Sequence, residues 1–139
     1  MADFADTIAA LSTPSGESAI ALVRLSGPAC ADLAKACFNL PSAPAARRAA
    51  RGLYTLKNSS PLDDCVFTFF KAPSSYTGED MLEISCHGNP FIVQNMLCDL
   101  FERGARAAGR GEFTRRAFLN AKLDLSQAEA VALMISSSL

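Results

Sequence analysis

Residues 111–131 carry the most informative stretch of the chain, Gly111-Glu-Phe-Thr-Arg-Arg-Ala-Phe-Leu-Asn-Ala-Lys-Leu-Asp-Leu-Ser-Gln-Ala-Glu-Ala-Val131. Its apolar spacing predicts a helix from Glu112 to Ala121. A second helix follows, because Asp124 can cap it and Gln127, three residues on, completes a capping-box-like pair. Two arginines and a lysine lie between these apolar faces, and a purely structural segment seldom needs so many fixed charges. The stretch therefore predicts a segment that both packs and binds a polar ligand.

The chain before this stretch alternates between short apolar runs and two amphipathic helices. One helix follows Pro28 and extends to about Phe38, and the other begins after the capping residue Asn89 and ends at Gly104. The apolar runs predict strands near residues 7–11, 19–25, 52–56, 65–71, 81–86 and 105–107. We therefore expect an α+β domain. The last helix stops in mid-pattern at residue 139, which suggests a piece of a longer protein.

The composition favours a single folded domain in a reducing compartment. The 139 residues are enough for one core, and a formal net charge of -1 argues against a chain that coats nucleic acid. Five cysteines without a C-x-x-C pair predict reduced, mostly buried thiols rather than a zinc cage or a disulfide framework. The sequence shows no secretory signal and no apolar run of membrane-spanning length, so we expect a cytoplasmic protein that does not contact a membrane.

A cluster of cations lies late in the chain, against fewer carboxylates. It comprises Arg103, Arg106, Arg110, Arg115, Arg116 and Lys122. Such a cluster indicates either a local anion-binding site or a solvated rim, and composition alone favours the rim.

Two charged residues interrupt predicted strands. Arg24 ends an apolar run, so it either pairs with a carboxylate near the surface or binds an anion. Glu83 lies in mid-strand, where it either faces solvent or accepts two parallel N–H donors; a buried, unpaired carboxylate would be costly. His87 fits a turn residue better than a base, because no orienting partner is evident. Together with Lys122, the pattern predicts a polar ligand site that uses Arg24, Glu83 and Lys122.

Several motifs of common enzyme classes are missing from the sequence. It contains no G-x-x-x-x-G-K-[ST] loop for a nucleoside triphosphate, and no G-x-S-x-G or S-x-x-K motif for acyl transfer. We therefore assign no catalytic residue and no metal ligand.

Three segments, taken in order, resemble a known family. They are Ala21-Leu-Val-Arg-Leu-Ser-Gly-Pro28, Ser75-Tyr-Thr-Gly-Glu-Asp-Met-Leu-Glu-Ile-Ser-Cys-His-Gly88 and the stretch 111–131. They are similar to the N-terminal domain of the tRNA modification GTPase MnmE (TrmE) family, over nearly the whole chain. The resemblance implies a small mixed sheet with packed helices, like the tetrahydrofolate-binding part of the glycine-cleavage T-protein. It also implies a folate-binding and dimerisation domain over residues 1–123, and the first helix of a truncated helical domain over 124–139.

The resemblance implies a ligand and three contact residues. The family binds 5-formyltetrahydrofolate, a reduced folate, near the interface of a homodimer, and its contacts fall on Arg24, Glu83 and Lys122 in this sequence. A reduced pterin presents an amino group and a ring N–H side by side, which Glu83 could accept as a fork. The folate tail carries glutamate carboxylates, which Arg24 and Lys122 could meet.

The resemblance also implies cofactors and partners for the complete family protein. It hydrolyses GTP with Mg2+ and K+ in a domain that this sequence does not contain. It works with the FAD-dependent enzyme MnmG, and together they modify the C5 position of wobble uridine in tRNA with a folate-derived one-carbon unit. This chain alone is therefore expected to be inactive.

One loop departs from the family pattern. The family usually carries a sequence like Pro-Pro-Gly-Arg-Gly-Gly, whereas this chain reads Pro14-Ser-Gly-Glu-Ser-Ala19, with a carboxylate in place of a cation. The difference keeps one alternative open, a dimerisation module with a vestigial pocket. The likeness to the T-protein fold keeps a second one open, a stand-alone aminomethyltransferase-like enzyme. Whether tRNA contacts the cations between Arg103 and Arg116 also stays open.

Overall fold

The computed structural model describes residues 4–137, which form one six-stranded sheet with helices. The strands are β1 (Ile8–Leu11), β2 (Ile20–Ser26), β3 (Ala50–Thr55), β4 (Pro61–Phe70), β5 (Met81–His87) and β6 (Arg106–Ala107). The helices are α1 (Cys30–Cys37), α2 (Pro90–Glu102), α3 (Glu112–Leu119) and α4 (Leu125–Ser137). The α+β prediction is confirmed. The likeness to the T-protein fold and the domain division after residue 123 stay predictions.

The sheet is mixed, as expected. Its strand order is β3-β4-β5-β2-β1-β6, and every neighbouring pair is antiparallel except β1 with β6. The structure starts β4 at Pro61, four residues before the predicted start. The strand was predicted from its run of apolar residues, and Asp63 and Asp64 are not apolar, so this part was missed. Both residues nevertheless pair with β3.

The helices α1 and α2 pack against one face of the sheet, whereas the opposite face, here called the open face, is exposed over part of its area. On β2 the alternation is regular: Val23 and Leu25 are fully buried, whereas Arg24 points to the opposite face. The open face exposes large apolar side chains on three different strands, which are Ile20, Leu53 and Val66. The sheet thus has a core side and an open side, and Arg24 belongs to the open side.

The predicted helix ends are confirmed. Asn89 caps α2 by accepting a hydrogen bond from the amide of Phe91 at 2.8 Å. At the other end Gly104 has φ +109°, and the amide of Ala105 donates to the carbonyl of Leu100, the bond that defines a Schellman ending. Asp124 and Gln127 bond each other's amides at 2.7 and 3.0 Å, so the capping box of α4 is real.

A buried polar cluster joins α2 to β3, and the sequence did not predict it. Asp99 accepts hydrogen bonds from the hydroxyl of Tyr54 (2.6 Å), the amide of Lys57 (2.8 Å) and Nε of Arg103 (2.8 Å). The solvated-rim interpretation is therefore wrong for Arg103, because its guanidinium satisfies a buried carboxylate.

All five cysteines are free thiols, and four of them are buried as predicted. Burial raises the pKa of Cys65 to about 12 and the pKa of Cys86 to about 11. Cys98 on α2 is exposed. Between residues 4 and 137, no helix combines the length and apolar character needed to cross a bilayer.

Candidate functional site

The side chains of Arg24 and Glu83 form an ion pair on the open face of the sheet. The antiparallel register of β2 and β5 places the two residues directly opposite each other. Nε and Nη2 of Arg24 lie 3.0 and 2.8 Å from the same oxygen, Oε2 of Glu83. Both side chains remain about a third accessible, at 30% and 27%. Of the two interpretations of Arg24, the structure shows pairing with a carboxylate; ligand contact by either residue stays a prediction.

A cleft of about 490 Å³ lies beside this ion pair, between the end of β1 and the helices α3 and α4. Its lining consists of Ala10, Leu11, Ser12, Arg24, Tyr76, Ala108, Gly109, Arg110, Gly111, Phe113, Thr114 and Val131. The charged members of this set are two arginines, and no carboxylate belongs to it. The lining of the cleft thus combines aromatic and small apolar side chains with cationic ones.

Tyr76 forms one wall of the cleft, and its hydroxyl lies 3.0 Å from Oγ1 of Thr114 on α3. This contact links the loop before β5 to the helix that closes the other side. The ring is 40% exposed, so it can contact a ligand. Sequence reasoning did not identify Tyr76 as a candidate site residue. The signal that we missed is an aromatic residue inside an otherwise polar loop.

A chain of hydrogen bonds fixes the loop that carries Tyr76. The hydroxyl of Ser26 lies 2.7 Å from Oγ1 of Thr77 and donates to Oε1 of Glu79 at 2.7 Å. Nδ2 of Asn120 donates to the carbonyl of Thr77 at 2.8 Å. Gly78 adopts φ +81°, and a Cβ there would lie 2.9 Å from Cβ of Asn120. The loop is thus held closely against the end of α3.

Arg116 is a structural cation. Its side chain is 1% exposed, and its guanidinium pairs with Glu79 at 3.0 Å and with Asp6 at 2.6 Å. The ring of Phe4 lies 4.4 Å from its Cζ. The rim interpretation is wrong for Arg116 because carboxylates from three parts of the chain, including Glu112, surround and bury it.

Arg106 and Glu112 extend the same network toward the surface. Nη1 of Arg106 donates to Oε1 of Glu112 at 3.0 Å, and its Nε donates to Asp6 at 2.7 Å. The hydrogen bond from Arg106 lowers the pKa of Glu112 to about 2. Arg106 also lowers the pKa of Asp6. Of the late cations, Arg110, Arg115 and Lys122 are the exposed ones outside this network.

Lys122 lies against the loop that carries Tyr76. Its ammonium donates to the carbonyl of Pro73 at 3.1 Å, and its Cγ would contact a Cβ on Gly78. Neither Lys122 nor Glu83 lines the cleft. The structure therefore brings Arg24 and Glu83 into direct contact, whereas Lys122 contacts the loop that carries Tyr76 and does not line the cleft.

His87 ends β5, and Nδ1 of its ring lies 2.8 Å from Oδ1 of Asp63 on β4. This partner could not be predicted from local sequence, because strand pairing brings it from 24 residues away. Throughout the described part of the chain, no three His, Cys, Asp or Glu side chains are arranged as metal ligands. The loop that departs from the family pattern is exposed at Glu17, and it does not line the cleft.

In comparison with known proteins, the chain matches one family model and several similar proteins. The family model described as GTP-binding protein TrmE N-terminus matches residues 7–122. The chain is 58% identical over 126 residues to a tRNA modification GTPase MnmE from Opitutus terrae, an alignment that covers 91% of the chain and 27% of that protein. It is 50% identical over 132 residues to the protein of the same name from Aquifex aeolicus, covering 95% of the chain and 30% of the relative. The corresponding protein from Thermotoga maritima is 46% identical over 132 residues, with 95% and 29% covered. The chain thus spans less than a third of the length of these relatives.

Proposed function

The chain belongs to the family of GTP-binding protein TrmE N-termini, and from this membership we propose that it is the folate-binding and homodimerisation domain of a tRNA modification GTPase. Its ligand in this proposal is 5-formyltetrahydrofolate. One observation carries the proposal: the Arg24–Glu83 ion pair stands beside a cleft whose charged lining is cationic.

The cleft suits a reduced folate in size and chemistry. Its volume of about 490 Å³ falls in the ordinary range for small-molecule sites. Tyr76 and Phe113 offer ring surface to a heterocycle, and Arg24 offers N–H donors. Oε1 of Glu83 is outside the bonds to Arg24, so this carboxylate can still accept from the amino group and ring N–H of a pterin.

In the same proposal, the ammonium of Lys122 contacts the ligand. A lysine ammonium carries three N–H donors, and the carbonyl of Pro73 uses one of them. The remaining donors are available to a ligand that reaches the 73–78 loop. The position of Lys122 supports a ligand contact at the edge of the site rather than at its centre.

The exposed apolar side chains on the open face of the sheet are an argument for a homodimer. Ile20, Leu53 and Val66 expose apolar surface there, and the Arg24–Glu83 pair lies on the same face. A second copy of the chain packed on this face would cover the apolar side chains and border the ligand. This arrangement would place the folate near the dimer interface.

The remainder of a longer protein would supply the other parts of the function. We propose that this remainder hydrolyses GTP with Mg2+ and K+. We also propose that the whole protein acts in the cytoplasm with an FAD-dependent partner of the MnmG type on the C5 position of wobble uridine in tRNA. In this scheme the present domain holds the one-carbon donor and pairs the subunits.

Isothermal titration calorimetry with 5-formyltetrahydrofolate tests the ligand. We expect the 139-residue chain to bind it, and Glu83→Gln to weaken binding by about tenfold or more, because a charge-assisted acceptor is lost. Wild-type affinity in Glu83→Gln would remove this residue from the site. No binding to the wild-type chain would favour the alternative of a dimerisation module with a vestigial pocket, which the altered loop 14–19 motivates.

Sedimentation velocity over a concentration series tests the dimer. Val66→Asp places a charge on the open face and should shift the chain to the monomer. Gln94→Asp is the matched control, because it adds the same charge on the exposed surface of α2, and it should leave the dimer intact. A wild-type chain that sediments as a monomer at all concentrations, or equal behaviour of the two variants, would contradict this interface.

A further inference from the structure

Arg110 is the cation of the cleft that no carboxylate neutralises. It is exposed at the start of the turn into α3, and it lines the cleft together with Arg24. Arg24 is paired with Glu83. Within residues 4–137, no ion pair or hydrogen bond of the Arg110 side chain is formed. Because no carboxylate lines the cleft, the charge of Arg110 is the uncompensated charge of this site.

The neighbouring cations cannot take this role. Arg106 and Arg116 are both held by Asp6 and Glu112. Lys122 does not line the cleft. An anionic group that enters the cleft therefore meets two guanidinium groups, and it gains most from the one whose charge is not already balanced.

We propose that Arg110 is a ligand-binding residue that receives the glutamate carboxylates of the folate tail. This inference rests on the proposed function and extends its site to a residue outside the Arg24, Glu83 and Lys122 set. Arg24 on β2 is paired with Glu83, the proposed acceptor for the pterin, whereas Arg110 lines the cleft from the segment before α3. In this arrangement Glu83, the partner of Arg24 outside the cleft lining, would serve the heterocycle, and the free guanidinium of Arg110 would serve the tail.

Arg115 provides a matched control. It carries the same charge five residues later, and it is also exposed. It lines a different groove of about 240 Å³ between α3 and α4, together with Phe118 and Ala132, and is absent from the cleft lining. Arg110→Glu and Arg115→Glu therefore change the net charge equally, and only the first changes the charge inside the cleft.

The experiment measures binding of 5-formyltetrahydrofolate to the wild-type chain, Arg110→Glu and Arg115→Glu by calorimetry at low and high salt. We expect Arg110→Glu to lower the affinity about tenfold at low salt, with a smaller loss at high salt, and Arg115→Glu to stay within about twofold of wild type. Thermal melts and sedimentation should be unchanged in both variants, because neither side chain belongs to the buried network.

The outcomes separate the two proposals. A wild-type chain that binds no folate contradicts the proposed function itself. A wild-type chain that binds, together with equal affinities for Arg110→Glu and Arg115→Glu, contradicts only the role of Arg110. A loss of affinity in Arg110→Glu that accompanies loss of the dimer or a lower melting temperature also counts against direct contact.

Discussion

Arg24 and Glu83 lie directly opposite each other on β2 and β5, and Nη2 of the arginine is 2.8 Å from Oε2 of the glutamate. The pair stabilises the open face of the sheet, and it also orients a carboxylate next to the cleft. Under the proposed function, this structural contribution can be separated from ligand recognition, because stability depends on the attraction between the charges, whereas recognition would depend on which strand carries which charge.

Exchanging the two charges tests this separation. Arg24→Glu combined with Glu83→Arg keeps an ion pair across the same register, so its free energy of unfolding should lie within about 1 kcal/mol of wild type. Folate binding should be lost, because donor and acceptor have changed places. Urea unfolding and calorimetry measure the two quantities. Retained folate affinity in the exchanged variant would show that the pair is only structural.

Tyr76 should report directly on ligand binding. The chain has two tyrosines and no tryptophan, and Tyr54 is buried with its hydroxyl on Asp99. In an NMR spectrum of ring-labelled tyrosine, 5-formyltetrahydrofolate should shift the Tyr76 signal and leave Tyr54 in place. Tyr76→Phe assigns the signals. An unshifted Tyr76 under conditions where calorimetry shows binding would place the ligand elsewhere.

Removing the ring of Tyr76 tests whether this side chain contributes to folate affinity. Tyr76→Ala should weaken folate binding several-fold, because the wall of the cleft and the hydroxyl contact with Thr114 are both lost. Phe91→Ala is the control, since Phe91 is 71% exposed at the start of α2 and does not line the cleft. Calorimetry should show the wild-type affinity for the control.

Glu112 should make the stability of the domain depend on acid pH. Its hydrogen bonds with Arg106 lower its pKa from the ordinary value of 4.5 to about 2. The ionised carboxylate therefore stabilises the fold fully above about pH 4.5, and this contribution disappears as the pH falls toward 2. The lowered pKa of Asp6, which also bonds Arg106, adds to the effect in the same direction.

Melting temperatures at several pH values between 6 and 3 measure this dependence. Glu112→Gln should be less stable at pH 6 and should lose less stability on acidification than wild type. Glu102→Gln, a change at an exposed position on α2, should follow the wild-type curve. Parallel curves for Glu112→Gln and wild type would refute the assignment.

Cys98 should be the reactive thiol of the folded chain. It is exposed, whereas Cys30, Cys37, Cys65 and Cys86 are buried, and burial raises the pKa of each of these four thiols. Mass spectrometry after brief treatment with N-ethylmaleimide should find one adduct in the native chain and five after unfolding. Cys98→Ser should give no rapid adduct. Rapid labelling of a second site would mean that the core opens on the timescale of the reaction.

The element order was predictable because its signals are local. The capping pair Asp124 and Gln127, the ending at Gly104 and the alternation around Val23 each involve residues a few positions apart. The start of β4 was misplaced for the converse reason. Asp63 and Asp64 belong to the strand because they pair with Tyr54 and Leu53 of β3. The carboxylate of Asp63 also accepts hydrogen bonds from the backbone and ring of His87 on β5, a nonlocal contact.

The roles of the charged residues were harder to predict. Arg24 and Glu83 were singled out as site residues, and their mutual contact emerged only with the register of the sheet. Arg116 belonged to the expected surface rim, and it is instead the most buried cation of the described chain. Arg110 was one member of a cluster of late cations that composition assigned to the rim, and Tyr76 was one residue of a polar loop, so local sequence did not place either residue at the cleft.

By itself, the sequence determined the class of the fold, the positions of its helices and strands, and the family, because spacing, caps and motifs act over short stretches of chain. The tertiary structure alone decided which cations are neutralised. Arg24 finds its carboxylate 59 residues away, and Arg116 bonds Asp6 110 residues away. The Coulomb energy between two charges depends on their separation and on the water around them, so strand order and burial, rather than residue type, determine which cation stays available to a ligand.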